Sequence, residues 1–148
     1  MFNHGTILRV TNQGEIATIF RKRNLSGATM KPISKSERTV VNVENAAFRP
    51  CINQDGSDSG TSILQLNTDH ADCVGFYLYK MAPGTTTEAH EHVGHEEFYI
   101  IEGDLTDNDG VAYRQGDMVL LKSGTQHNST TKNGCLIAVF APDGERSV

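Results

Sequence analysis

Residues 84–103 read GTTTEAHEHVGHEEFYIIEG, and residues 116–127 read GDMVLLKSGTQH. Four side chains in these stretches, His90, His92, Glu96 and His127, have the chemistry and spacing to hold one metal ion. Neutral imidazole and carboxylate are the donors selected by borderline first-row cations such as Fe(II), Mn(II), Ni(II) and Zn(II). On a strand, residues two apart share a face, so His90 and His92 point to one side. Glu96 comes four residues later, past Val93-Gly94-His95, where Gly94 lets the chain bend and return the carboxylate. His127 follows the tight Gly124 turn and reaches the same point from a neighbouring strand. A lone histidine is usually a surface or core residue. Three in two spaced segments, flanked by glycines, point to a metal site.

Outward from these stretches, apolar alternation with a period of two dominates, and no long amphipathic helix appears. Strands are expected at Thr6–Val10, Glu15–Phe20, Thr39–Val43, Ser62–Asn67, Cys73–Lys80 and Thr85–His92. Further strands are expected at Glu97–Glu102, ending at Gly103, and at Val111–Tyr113, Met118–Lys122 and Cys135–Phe140. Residues 24–36 and 51–60 read as loops, and Asp107-Asn108-Asp109-Gly110 as a hairpin turn. Short antiparallel strands at this density imply an all-β barrel or jelly roll. The simplest division is an N-terminal strand extension over 1–40 and one domain over 41–148.

A chain of 148 residues suffices for one domain with a core. The net charge of -5 argues against nucleic acid, which usually meets a basic face. The one basic run, Arg21-Lys22-Arg23, reads as a solvated strand end. No stretch is apolar enough to span a membrane, and the first residues do not read as a signal peptide. Three cysteines without a CxxC pair imply no disulfide scaffold and a reducing cytoplasm. Cys135, in an apolar run, reads as a small buried hydrophobe.

The two metal-ligand segments resemble the two motifs of the cupin superfamily. The resemblance covers about Pro83 to Phe140, a little over a third of the chain. Within it, residues 96–105 (EEFYIIEGDL), then Asp107 to Gly110 and Gly134-Cys135, are similar to ChrR-like cupins. That subgroup includes the zinc-binding cupin part of an anti-sigma factor and small oxygenases such as acetylacetone-cleaving dioxygenases. The resemblance implies a double-stranded β-helix, a metal near the barrel centre held by His90, His92, Glu96 and His127, and a homodimer. Lys122 stands where the second motif usually has Pro, and Thr131 where it often has Asn. Both departures bear on turn shape. The helical zinc domain of the anti-sigma factor has no counterpart here, so a sigma-binding role is not expected.

Other residues have plainer readings. Glu97 competes with Glu96, but one step along a strand flips the face, and the spacing to Gly103 favours Glu96. His95 reads as a rim residue, His4 and His70 as surface residues. Tyr99 belongs to the outer face; the Glu-x-Tyr pattern of cupin-type lyases acting on dimethylsulfoniopropionate is out of register by one. Phe98, Ile100, Met118 and Leu120 read as core, Arg114 and Gln126 as polar groups near the mouth. Asp107–Gly110 is no calcium loop, because Leu105 and Gly116 occupy ligand positions. No phosphate-binding Gly-rich loop or Gly-x-Ser-x-Gly elbow is present.

Four protein ligands on an octahedral ion leave two neighbouring positions for a chelating substrate and dioxygen. The first expectation is therefore an Fe(II) oxygenase, with Mn, Ni or Zn as alternatives, acting on a diketone or hydroxyketone. Glu96 is the expected proton acceptor. The second is a non-enzymatic zinc cupin sensing a small molecule or redox state. The third is a metal-dependent lyase or isomerase.

Overall fold

The alternating segments pair into two antiparallel sheets. The computed structural model describes residues 30–53 and 55–148. The expected strands Thr6–Val10 and Glu15–Phe20, and most of the N-terminal extension, lie outside the described residues. The chain divides into two compact units, Met1–Arg38 and Thr39–Val148. In the described part of the first, a single 3-10 turn at Lys35–Glu37 is capped by Ser34. The Ser34 N–H donates to the Glu37 carboxylate at 2.9 Å, which shields one otherwise unpaired donor.

Among its described residues the second unit holds eleven strands. They are β1 (Arg49–Ile52), β2 (Asp58–Leu64), β3 (Gly75–Met81), β4 (His90–His92), β5 (Glu96–Asp107) and β6 (Ala112–Arg114). β7 (Met118–Leu121), β8 (Gln126–His127), β9 (Ser129–Thr130), β10 (Cys135–Ala141) and β11 (Glu145–Ser147) complete them. The larger sheet runs β1-β2-β3-β10-β5-β6, with β7 and β9 also pairing β5. The smaller sheet runs β11-β4-β8. This is the all-β jelly roll expected from the strand density.

The larger sheet has one apolar inner face. Tyr77, Met81, Phe98, Ile100, Ile137 and Val139 alternate inward from β3, β5 and β10 and are buried. Cys135 is buried among them, as expected. Full burial of each large apolar side chain contributes roughly 1.5–3 kcal/mol. On the outer face Phe76, Tyr99, Met118, Leu120 and Phe140 are exposed.

The strand expected at Thr85–His92 shortens to His90–His92, and four further expectations of the fold are corrected. Thr39–Val43 forms no strand: its valines are exposed, and the Asn42 side chain accepts the Glu44 N–H at 2.8 Å. That local bond starts a 3-10 turn at Val43–Asn45 and competes with a ladder. Met118 and Leu120 are not core. The run Met118–Leu121 is apolar throughout, so alternation cannot choose a face. Pairing of Phe98 with Val119 and Glu96 with Leu121 turns the other two inward. The loop expected over 51–60 is narrower, because β1 and β2 pair as a hairpin across it.

The fourth correction concerns Gly103, which does not end β5. The strand continues to Asp107, leaving β7 and β10 and joining β6 and β9. Gly103 has φ +86°, and a Cβ there would lie 1.9 Å from the Gly134 carbonyl oxygen. Glycine is required for this crossing.

Candidate metal centre

The small sheet carries most of the site. In its ladder His90 lies opposite His127, and His92 opposite Glu145. Paired residues of an antiparallel ladder share a face, so these four side chains turn inward together. Glu91, Gln126 and Arg146 turn outward, where the Glu91 carboxylate accepts from Gln126 Nε2 at 2.8 Å and from Arg146. Gln126 is thus on the outer face. Arg114 is exposed on β6, and neither residue lines the cavity, contrary to expectation. Glu96 enters from the opposite sheet. It is buried, while Glu97 faces solvent. His95 is exposed, and its Nδ1 accepts the Ser123 N–H at 2.9 Å, fastening the turn.

Ring nitrogens of His90, His92 and His127 lie within 4.8 Å of one another. A second grouping on the same scale joins His90, Glu96 and Glu145. His90 Nε2 is 3.1 Å from His127 Nε2, and His92 Nε2 is 3.7 Å from Glu96 Oε1. The three histidines therefore converge on one place, and Glu96 stands at its edge beside His92.

The hydrogen bonds behind the rings fix their tautomers. His90 Nδ1 lies 3.0 Å from the Glu88 carbonyl, which only accepts, so this nitrogen carries the proton. Thr125 donates its hydroxyl proton to the Lys122 carbonyl at 2.7 Å, so it must accept from His92 Nδ1 at 2.9 Å. His127 Nδ1 donates to the Asp107 carboxylate at 3.1 Å. In the neutral rings all three Nε2 atoms then carry lone pairs, and these face one another. His92 is 2 % exposed, and its Nε2 has no hydrogen-bond partner.

Converging acceptors repel unless a cation lies among them. Neighbouring donors about 2.1 Å from one octahedral ion stand roughly 3 Å apart, which matches the His90–His127 separation. The donor set and its spacing therefore fit one borderline divalent ion.

Electrostatics agree with that reading. Burial, then His127 and His90, lowers the His92 pKa to about 4, so this ring stays neutral. Burial pulls His127 down, but the hydrogen bond and charge of Asp107 outweigh it and raise the pKa. Burial raises Glu96 to about 7; His127 opposes this, and Glu145 and Asp107 add to it.

Asp107 is the residue behind the site that the sequence did not reveal. Besides His127 it accepts from Ser129 Oγ at 2.5 Å and Tyr113 Oη at 2.8 Å. Such a carboxylate orients a ligating imidazole and raises its basicity. Asp107→Asn is expected to weaken metal binding roughly 10–100-fold without unfolding the chain. Competition with a chromogenic chelator measures this, and unchanged affinity would refute the role.

A cavity of about 620 Å³ lies beside the cluster, between the sheets. Tyr77, Tyr79, Phe98 and Ile137 form part of its wall, together with Thr61 and Ser59 of β2. Among the described residues no Lys or Arg lines it, whereas Asp72, Glu88, Glu96, Asp143 and Glu145 do.

The family model of the ChrR cupin-like domain matches residues 36–143. The chain belongs to this cupin family. Within the cupin fold, the polyketide cyclase RemF from Streptomyces resistomycificus is 18% identical with a TM-score of 0.58, covering 75% of this chain and 85% of that one. An acetylacetone dioxygenase from Acinetobacter johnsonii is 15% identical with a TM-score of 0.54, covering 77% and 79%. At these identities the likeness concerns fold alone. A putative dimethylsulfoniopropionate lyase, DddL, from Cereibacter sphaeroides is 37% identical over 68 residues. That match covers 44% of this cupin and 28% of the relative's own length. Among the described residues, no helix is long and apolar enough to cross a membrane.

Proposed function

We propose that this cupin is a metal-dependent oxygenase of a small chelating substrate, such as a diketone or hydroxyketone. The observation that carries the proposal is the convergence of three Nε2 lone pairs and Glu96 on a cavity of substrate size. His90, His92, His127 and Glu96 would hold one divalent ion per chain, Fe(II) for an oxygenase. When bound, that ion would supply Lewis acidity toward a substrate that chelates it through two oxygens, favouring the enolate that reacts with dioxygen beside it.

The remaining roles belong to the protein. Tyr77, Phe98 and Ile137 present flat or apolar surface to the substrate carbon skeleton. Five carboxylates on the described wall, with no Lys or Arg among them, disfavour phosphates and dicarboxylates and admit an uncharged or cationic substrate. Glu96 lines the same space, so its carboxylate oxygen not engaged by the ion lies within reach of a proton of the substrate.

A second reading, a metal-dependent lyase, is favoured by the 37% identity to the putative lyase and by the two phenols on the cavity wall. Oxygen decides between them. The Fe(II)-loaded protein should consume dioxygen in an electrode chamber with acetylacetone or a related chelator. Product formation in its absence would support the lyase. Metal-loaded protein that turns over no chelating substrate would sink the oxygenase reading.

A further inference from the structure

Glu145 is the one inward acid of the small sheet that the four-ligand set leaves out. It opens β11 and lies opposite His92 in the ladder, so its side chain shares the interior face with the histidines. Its Oε2 stands 3.1 Å from His90 Nε2, and the carboxylate groups with His90 and Glu96 on the scale of a single ion. The His90 Nδ1 proton is committed to the Glu88 carbonyl, so the Nε2 lone pair of the neutral ring faces a carboxylate. A cation shared between them, beside His127 and Glu96, would satisfy both groups at that separation. The distance equals that between His90 and His127, as expected for neighbouring donors on one centre.

Position separates Glu145 from Glu96. Glu96 is 8 % exposed, at the start of a twelve-residue strand held on both sides. The Glu145 side chain is 40 % exposed, on a three-residue strand paired only with β4. Gly144, at φ +69°, turns the chain into that strand from the cavity rim. Glu145 can therefore approach or leave the cluster at little conformational cost, and Glu96 cannot.

Building on the metal site proposed above, we infer that Glu145 is a fifth, exchangeable protein donor. It occupies one of the two positions otherwise open and is displaced by a chelating substrate. With two carboxylates the divalent centre is electrically neutral at rest, so an incoming enolate exchanges one anion for another instead of adding charge. The C-terminal strand thereby guards the centre against small adventitious anions.

Co²⁺ alone, added to the metal-free full chain, tests this by its visible absorption. Glu145→Gln should change the Co²⁺ bands and weaken its affinity about tenfold. The same variant should bind acetylacetone more tightly at the Co²⁺ centre, because nothing has to be displaced. Arg146→Gln, on the outward side of the same strand, should leave the bands and affinity unchanged. Unaltered bands and affinity in Glu145→Gln, with wild-type binding intact, overturn the inference. An equal loss in Arg146→Gln also overturns it, since fraying of β11 would then be the cause. Failure of the wild type to take up Co²⁺ would instead remove the metal site itself.

Discussion

Replacing His92 by leucine is expected to cost the protein its metal while making the metal-free chain more stable. His92 is almost fully buried, and its Nε2 lacks any partner. A buried polar atom without a partner costs about 1–3 kcal/mol, and a leucine of similar size removes it. Thr125 keeps its bond to the Lys122 carbonyl, so the deletion leaves no new orphan hydroxyl proton. Against this, a four-donor structural zinc site holds its ion by about 10–16 kcal/mol. One imidazole then accounts for on the order of 3 kcal/mol, or more than a hundredfold in affinity.

The stability gain should grow with acidity. The unfolded His92 ring takes up a proton near 6.5, and the folded ring only at about 4. Between those values the unfolded chain binds more protons, so the metal-free wild type loses stability as pH falls, by up to roughly 3 kcal/mol. His92→Leu removes that slope. Urea melts at several pH values, with and without Zn²⁺, measure both effects. A variant less stable than the metal-free wild type at low pH would contradict the account. So would a Zn²⁺-induced stabilisation as large as the wild type's.

What the sequence discloses and what it hides follow from one distinction. Side chains that must sit on one face of a short strand leave a period of two, and His90 with His92, or Phe98 with Ile100, are readable on that ground. Features that depend on long-range pairing leave none. Met118–Leu121 is apolar at every position, so only its pairing with β5 selects Val119 and Leu121 for the interior. Thr39–Val43 has strong β propensity but no partner among the described residues, and propensity without a ladder does not make a strand.

Asp107 was hidden by a change of phase. Glu96, Phe98 and Ile100 face inward at even positions, whereas Leu105 and Asp107 do so at odd ones. The register with β10 shifts between Leu136 and Ile137, opposite this part of β5. An irregularity of that kind moves every later side chain to the other face. A reading that expects the strand to end at Gly103 sees only a turn at Asp107. Glu145 is hidden for another reason: its segment, Glu145–Ser147, is too short and too polar to announce a strand. Its partner β4 alone gives it direction. The ligands are thus legible where they cluster in sequence, and the groups that orient or supplement them are legible only in space.

Metal loading is expected to fall by at least two orders of magnitude between about pH 7.5 and about pH 5.5. A ligand must be deprotonated before it can donate, so each group that titrates above the working pH adds a factor of ten per unit of acidification. Glu96 is such a group, raised by burial to about 7 in the metal-free chain. His127 is another: burial lowers it, yet the Asp107 carboxylate outweighs burial and carries the ring above its ordinary 6.5. His92, at about 4, contributes nothing in this window. The sign is therefore fixed, since protons and metal compete for Glu96 and His127 together, and binding must release protons near neutrality. Calorimetric titration with Zn²⁺ in buffers of differing ionisation enthalpy counts them. Glu96→Gln should lower the count near neutrality and flatten the profile, because one of the two competing protons is gone. An affinity independent of pH over this range, or a proton count untouched by Glu96→Gln, would mean that the ion is held somewhere other than among these four side chains.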